Sequence, residues 1–196
     1  MKFSIILIII TLITQLSPDN AYYNNLARLI MEKEDSEQIK SLTNKFDAYN
    51  KDSSTVFLDG WYYYDTINQK FQNSRGTTDA LKRNIYWFLL IDNLQFDTYI
   101  YEFDWKQPEN EILGIIGSLA KKKNYELPKI PNVPHNSQLD AGGKLSFYNQ
   151  TLKKYGFTLV NLYIDRDSYV TALIRRDNIK ELIEISAKSH NIISEY

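Results

Sequence analysis

The clearest pattern of apolar and polar positions lies near the C-terminus. Residues 157–164 carry apolar side chains in both registers of a two-residue alternation, which is typical of a strand covered on both faces and placed inside a sheet. A polar run of turn-forming residues, 165–168, comes next, and residues 169–174 form a second β-rich run. Because this connection is so short, the pattern predicts an antiparallel β-hairpin.

A helix is predicted directly after this hairpin. Asn178 and Glu181 have the spacing of a capping box, in which two side chains satisfy free N–H groups at a helix start. Apolar residues then follow at helical spacing from Ile179 onward. A hairpin and one helix are not stable alone, so the rest of the chain must supply further packing surfaces.

The preceding chain supplies those surfaces. Two N-terminal helices are predicted, one around Leu26 and one over residues 36–49, with a charged break at 32–35 between them. The pattern then predicts, in chain order, a helix capped at 77–79, a strand over 98–103, a helix from Pro108, an irregular Pro- and Gly-rich segment over 127–143, and a helix over 145–155 that Gly156 ends. Gly114 and Gly117, inside the helix from Pro108, predict close approach of a neighbouring element.

These elements predict an α+β fold. We expect a small, mostly antiparallel sheet packed with helices, a helical N-terminal section, and a C-terminal β-hairpin followed by a helix. A chain of 196 residues is long enough for one good core, so residues 22–196 are predicted to form a single domain.

The first 21 residues have the layout of an export segment. Lys2 precedes an uncharged, mostly apolar run over residues 3–16, and Pro18 closes it. This run is short for a membrane span, and the layout predicts a signal peptide or an uncleaved N-terminal anchor. We therefore expect a secreted or periplasmic protein, or one anchored to the membrane by this segment. The sites after Ser17 and Ala21 lack the usual small residue three positions before the cut, and the alternative is a buried core element.

Composition removes several classes of function. A formal net charge of -1 argues against recognition of a nucleic-acid backbone. The absence of cysteine excludes disulfides, thiolate metal sites and cysteine nucleophiles. The basic run at 121–123 is interpreted as a set of solvated lysines that complement a helix dipole.

Two short motifs resemble a known family. They are the Phe-Asp-Trp-Lys segment at 103–106, before a helix, and Gly156-Phe157 followed by Asp-Ser-Tyr-Val at 167–170. In this respect the chain resembles an uncharacterised, mainly bacterial family that is catalogued as a domain of unknown function. The resemblance covers roughly residues 26–185, and it implies no activity and no catalytic residue set. The apolar leader and the aromatic run around Trp61 depart from the family pattern.

The candidate catalytic residues are three aspartates. Asp165 and Asp167 could bind a cation or act as acid and base, but turn formation is the ordinary role of aspartates in a hairpin loop. Asp104 could line a cleft with Trp105; alternatively, Asp104 opens the connection and Trp105 covers the core. The two histidines, His135 and His190, have no metal-binding spacing, and no nucleotide or hydrolase motif is present. No metal and no cofactor are predicted.

The candidate binding residues are aromatic. Fifteen tyrosines give the chain contact area with a polar handle, which suits recognition of proteins or carbohydrates. The run Trp61, Tyr62, Tyr63 and Tyr64 is predicted to form an interaction patch if it is exposed, with Trp105 as a further contact, and the alternative is a core segment.

Three functional hypotheses follow from the sequence. The first is an exported protein that acts by binding a protein or an envelope component, without catalysis. The second is a hydrolase-type enzyme that uses the carboxylates, and the third is an intracellular, immunity-type interaction protein. No nucleic-acid partner is predicted, and contact with a membrane is expected only through an uncleaved N-terminal segment.

Overall fold

The fold comes from a computed structural model that describes residues 18–32, 35–51, 62–65, 70–73, 76–77, 85–134, 138–164 and 167–196. Residues 1–17 of the predicted leader, together with Trp61, His135 and Asp165, lie outside these ranges. For residues 18–20, 62–65, 70–73 and 76–77 the structure describes the backbone alone.

Within the described ranges the chain forms six α-helices and seven β-strands. The helices are α1 (Pro18–Met31), α2 (Ser36–Lys51), α3 (Ile85–Phe96), α4 (Glu109–Lys122), α5 (Ala141–Lys154) and α6 (Ile179–Lys188). The strands are β1 (Tyr62–Asp65), β2 (Lys70–Asn73), β3 (Gly76–Thr77), β4 (Ile100–Asp104), β5 (Phe157–Leu162), β6 (Ser168–Arg175) and β7 (Ile193–Glu195). A 3-10 turn, Arg176–Asn178, joins β6 to α6.

The main sheet has four antiparallel strands in the order β4-β6-β5-β7. The predicted hairpin is confirmed, since β5 pairs antiparallel with β6 from Phe157↔Arg175 to Leu162↔Val170. The interior position predicted for β5 is also confirmed, because β7 pairs with its other edge. The short strand β7 was not predicted.

Helices cover both faces of this sheet. Val160 and Ala172 belong to one hydrophobic cluster, with residues of α1, α2, α3 and α6. Leu159 and Leu173 belong to the other, with residues of α4 and α5. The two-sided apolar pattern of β5 therefore follows from its position between two helical layers, and the α+β fold is confirmed.

A second sheet contains β1, β2 and β3 in that order, all antiparallel. Tyr62, Tyr63 and Tyr64 lie in its first strand. Thr77 belongs to β3 and α3 is described from Ile85, whereas residues 78–84 lie outside the described ranges, so the helix cap at 77–79 stays a prediction.

Two helix starts differ from the predictions. The helix α5 begins at Ala141, earlier than expected, because the Asp140 side chain accepts a hydrogen bond from the Gly143 N–H at 2.8 Å. The capping box at Asn178 is wrong, since that side chain makes no cap bond. Its amide donates instead to Glu32, a long-range contact that the local pattern did not reveal.

The close approach predicted for Gly114 and Gly117 is wrong, because a Cβ built at either residue meets no described atom outside its own stretch of helix within 4 Å. Replacing either glycine with alanine should therefore raise the free energy of unfolding by about 0.5–1 kcal/mol, since alanine loses less backbone entropy in a helix. Chemical denaturation monitored by circular dichroism would measure this change.

Gly142 provides the matched control in a neighbouring helix. A Cβ there would lie 2.7 Å from Cζ of Tyr169, so Gly142→Ala should lower the free energy of unfolding by about 1–3 kcal/mol. Equal effects of alanine at Gly117 and at Gly142 would contradict this account of the space around them.

Candidate functional site

The structure places two of the three candidate aspartates at one end of the main sheet. Asp104 pairs with Ser168, so Asp104 at the end of β4 and Asp167 before β6 are neighbours. Both are exposed. The Asp104 carboxylate accepts a hydrogen bond from the Lys106 N–H at 2.9 Å, which is a turn-forming role. Asp165 lies outside the described residues.

Trp105 lies beside these aspartates and is 47% exposed. The Lys106 ammonium is 4.4 Å from the centroid of the Trp105 ring, a cation–π contact on the surface. Trp105 therefore does not cover the core, which was the alternative interpretation, and its ring is available for contact with a partner.

The motif residues also hold the sheet against α5. The Trp105 carbonyl accepts the Ala141 N–H at 2.9 Å, and the Tyr169 hydroxyl donates to Asp140 at 3.1 Å. Burial raises the pKa of Tyr169, and the hydrogen bond to the Asp140 carboxylate raises it further. These contacts hold the start of α5 against the start of β6, so the two motifs have a structural role.

For most of the other predicted site residues the structure describes no side chain. The side chains of Tyr62, Tyr63 and Tyr64 fall outside the description, and so do Trp61 and His135. His190 lies in the turn after α6 with a φ of 57°.

A polar pocket with a volume of about 440 Å³ lies at the opposite end of β6. It is formed where α1 ends, where α4 ends, and where β6 passes into the 3-10 turn. Its charged lining residues are Arg28 and Glu32 from the end of α1, Lys122 and Lys123 from the end of α4, and Arg175 and Asp177 after them in the chain. We call this the polar pocket.

Left-handed residues end the two helices that meet at the polar pocket. Glu32 has a φ of 55° and Asn124 a φ of 57°. Asparagine adopts this conformation readily, whereas glutamate seldom does. The Glu32 N–H donates to the Arg28 carbonyl at 2.8 Å, which closes the last turn of α1. The backbone therefore holds Glu32 at the pocket wall in a conformation that needs support from its surroundings.

Lys123 connects the three elements of the pocket. Its amine donates to the carbonyls of Ile30, in the last turn of α1, and of Leu173, in β6. The residue as a whole is half-buried, but the amine at its end is enclosed. Burial lowers the pKa of Lys123 from 10.5 to about 7, and the Glu32 carboxylate opposes this shift.

Glu32 supplies the most unusual group in the pocket. One carboxylate oxygen, Oε1, accepts from the Arg175 N–H at 2.6 Å and from the Asn178 amide at 2.7 Å. The other oxygen, Oε2, is buried and receives no hydrogen bond from any described residue. The buried hydroxyl of Tyr125, also in the pocket lining, likewise has no partner in the described part of the chain. Buried polar atoms are normally paired, so both atoms require an explanation.

Arg175 and Lys122 of the pocket make cation–π contacts with aromatic rings. The Arg175 guanidinium lies 5.5 Å from the centroid of the Tyr125 ring, and the Lys122 ammonium lies 4.6 Å from that of Tyr99. Arg28, Lys122 and Arg175 face two acidic side chains in the lining, and Lys123, whose pKa is lowered to about 7, adds only part of a further positive charge at neutral pH. The pocket therefore carries an excess of positive charge.

Two further pockets adjoin the polar pocket. One, of about 470 Å³, shares Asn124 and Tyr125 with it, and another, of about 280 Å³, shares Arg28.

The sequence offered partial signals for this site. The sequence pattern presents Lys123 as one of three solvated lysines, and Glu32 as part of a charged break between helices. Charged residues at two helix ends are the signal that could have drawn attention to them, but their meeting in space depends on the tertiary fold.

No group of three or more His, Cys, Asp or Glu side chains in the described ranges could hold a metal ion. None of the helices described is long and apolar enough to cross a membrane.

The fold and the site together define an α+β domain with a predominantly basic pocket at the end of its main sheet. The chain belongs to the family described as "Domain of unknown function (DUF6630)", which it matches over residues 11–195. The family suggested by the two motifs is thus confirmed as an uncharacterised domain family, over a longer range than the motifs indicated. No curated protein and no solved structure matches the chain.

Proposed function

We propose that this protein acts by binding, without catalysis, and that the polar pocket holds a small ligand bearing a carboxylate or phosphate group. The observation that carries the proposal is the set of four basic side chains from three elements around two buried polar atoms that have no partner among the described residues. A concave site with a few convergent polar groups is the usual form of a small-molecule site.

The charge of the pocket supports an anionic ligand. Arginine presents a planar fork of N–H donors that matches carboxylate and phosphate oxygens. Arg175 keeps its side chain exposed while its backbone N–H is bound to Glu32, so the guanidinium is available to a ligand. Arg28 is likewise exposed at the other side of the pocket.

The proposal includes the cellular location of this binding activity. The apolar leader favours an exported protein, and the ligand would then be an anionic part of an envelope component or of a partner protein. Mass spectrometry of the N-terminus in the secreted and membrane fractions would test export. An intact Met1 in the cytosol alone would favour the intracellular, immunity-type hypothesis instead.

A second candidate function is an enzyme, and one observation favours it. An enclosed amine whose pKa lies at about 7 has the property required of a general base at neutral pH. This candidate differs from the carboxylate hydrolase suggested by the sequence, since Asp104 and Asp167 are exposed at the other end of β6. Turnover of a bound ligand by the wild-type protein, abolished in Lys123→Met, would establish it.

Arg175→Gln should weaken the binding of anions to the pocket. Loss of one charge-assisted hydrogen bond costs about 1.5–3 kcal/mol, so the Kd for inorganic phosphate or acetate should rise by about tenfold or more. Titration followed by amide NMR shifts of Asn124 and Tyr125 would measure the change.

Arg176→Gln is the matched control. Arg176 is the next residue in the chain, is exposed, and does not line the polar pocket. The two variants remove the same charge from nearly the same place. Equal Kd values in Arg175→Gln and Arg176→Gln would show that the anions bind elsewhere on the surface.

A further inference from the structure

The unpaired oxygen of Glu32 restricts the chemistry of the ligand. Oε1 is occupied by the Arg175 N–H and the Asn178 amide, whereas Oε2 is buried and accepts from no described residue. A buried acceptor without a donor costs free energy in the empty pocket, and a ligand that supplies the donor recovers it.

A simple anion in the pocket would be repelled by this carboxylate. Glu32 brings a negative charge to the wall of a site whose other groups, Arg28, Lys122 and Arg175, attract an anion. A second, donating group on the ligand turns that repulsion into attraction. Because two hydrogen bonds hold Oε1, the position of Oε2 is fixed before the ligand arrives.

We propose that the ligand carries, close to its anionic group, an ammonium or hydroxyl that donates a hydrogen bond to Oε2 of Glu32. The chemical class is that of amino acids and hydroxy acids, free or as the end group of a larger molecule. This inference rests on the proposed function, since it adds a second recognition point to the same pocket. Asp177, the other acidic residue of the lining, is exposed, so water competes with a ligand for hydrogen bonds to its carboxylate.

Three matched probes separate the two recognition points. Leucine, 2-hydroxy-4-methylpentanoate and 4-methylpentanoate share one carboxylate and one side chain, and differ at the α-carbon by ammonium, hydroxyl or hydrogen. Each would be titrated against the full chain, with the amide NMR shifts of Asn124 and Arg175 as the readout. The first two should bind about five- to tenfold more tightly than the third, because only they have a donor for Oε2.

Glu32→Gln tests the residue itself. Glutamine keeps one oxygen for the Arg175 N–H and the Asn178 amide and places an NH2 donor where Oε2 was, so the preference for the two donor ligands should disappear. Asp177→Asn removes the same charge from the same pocket and should leave the preference unchanged. If Glu32→Gln does not fold, the order of the three probes on the wild-type chain still decides the question.

The outcomes are distinguishable. Equal binding of all three probes to the wild-type chain would overturn the inference and leave the proposed function standing. No shift at pocket residues with any of the three, or with inorganic phosphate, would overturn both.

Discussion

Replacing Trp87 with alanine should lower the free energy of unfolding by about 3–5 kcal/mol, the largest effect that we expect from a single substitution in this chain. Trp87 is 2% exposed and lies in α3, in the cluster between the N-terminal helices and the sheet. Its indole N–H donates to the Tyr163 carbonyl at 2.9 Å, just after β5. The substitution removes a large apolar side chain and the hydrogen bond that ties α3 to the sheet. Urea denaturation followed by circular dichroism would measure the loss.

Phe96 in the same helix is the control for this prediction. It is 78% exposed, so Phe96→Ala removes a large aromatic side chain without opening a cavity. Its effect should stay within about 0.5 kcal/mol. A loss at Phe96 as large as that at Trp87 would mean that burial in the core does not account for the effect at Trp87, since alanine is the better helix former at both positions.

Period-two and helical patterns predicted most of the elements, because burial of an apolar face is a local property of the sequence. The hairpin of β5 and β6 is the best example: both faces of β5 are apolar, and the structure covers both. The α1–α2 pair was found for the same reason, since each helix carries a stripe that packs inward.

The predictions were wrong where a residue has a distant partner. Asn178 has the spacing of a capping residue, yet its amide binds Glu32, far away in sequence. Helix caps are predicted from a few adjacent residues, and such local preferences yield to tertiary contacts.

The polar pocket could not have been predicted from spacing. It requires the ends of two helices and of one strand to meet, and the residues concerned lie at positions 28–32, 122–125 and 175–178. The sequence directed attention to Asp104, Asp167 and Trp105 because they lie in recognisable motifs. In the structure those motifs fasten α5 to the sheet, and the pocket lies at the other end of β6.

Stability should rise with pH between 7 and 9 because of Lys123. Burial holds the pKa of this amine at about 7 in the folded protein, while the unfolded chain has the ordinary value of 10.5. Across this window the unfolded chain binds more protons than the folded protein, so deprotonation favours folding as the pH increases. The gain from pH 7 to pH 9 should be about 2 kcal/mol, and the contribution of Lys123 should become constant below pH 7.

Lys123→Met isolates this contribution. Methionine fills a similar volume without a titrating group, so the variant should lose the rise between pH 7 and pH 9. The loss should accompany a lower stability at pH 9, where the carbonyls of Ile30 and Leu173 no longer receive the amine. Lys122→Met, one residue earlier on α4, should keep the full pH dependence.

The raised pKa of Tyr148 and Tyr196, caused mainly by burial, makes stability fall above about pH 10, so unfolding is best measured up to pH 9. Parallel stability curves for the wild-type protein and Lys123→Met would show that the amine is protonated in the pocket at neutral pH, and would remove the support for a proton acceptor there.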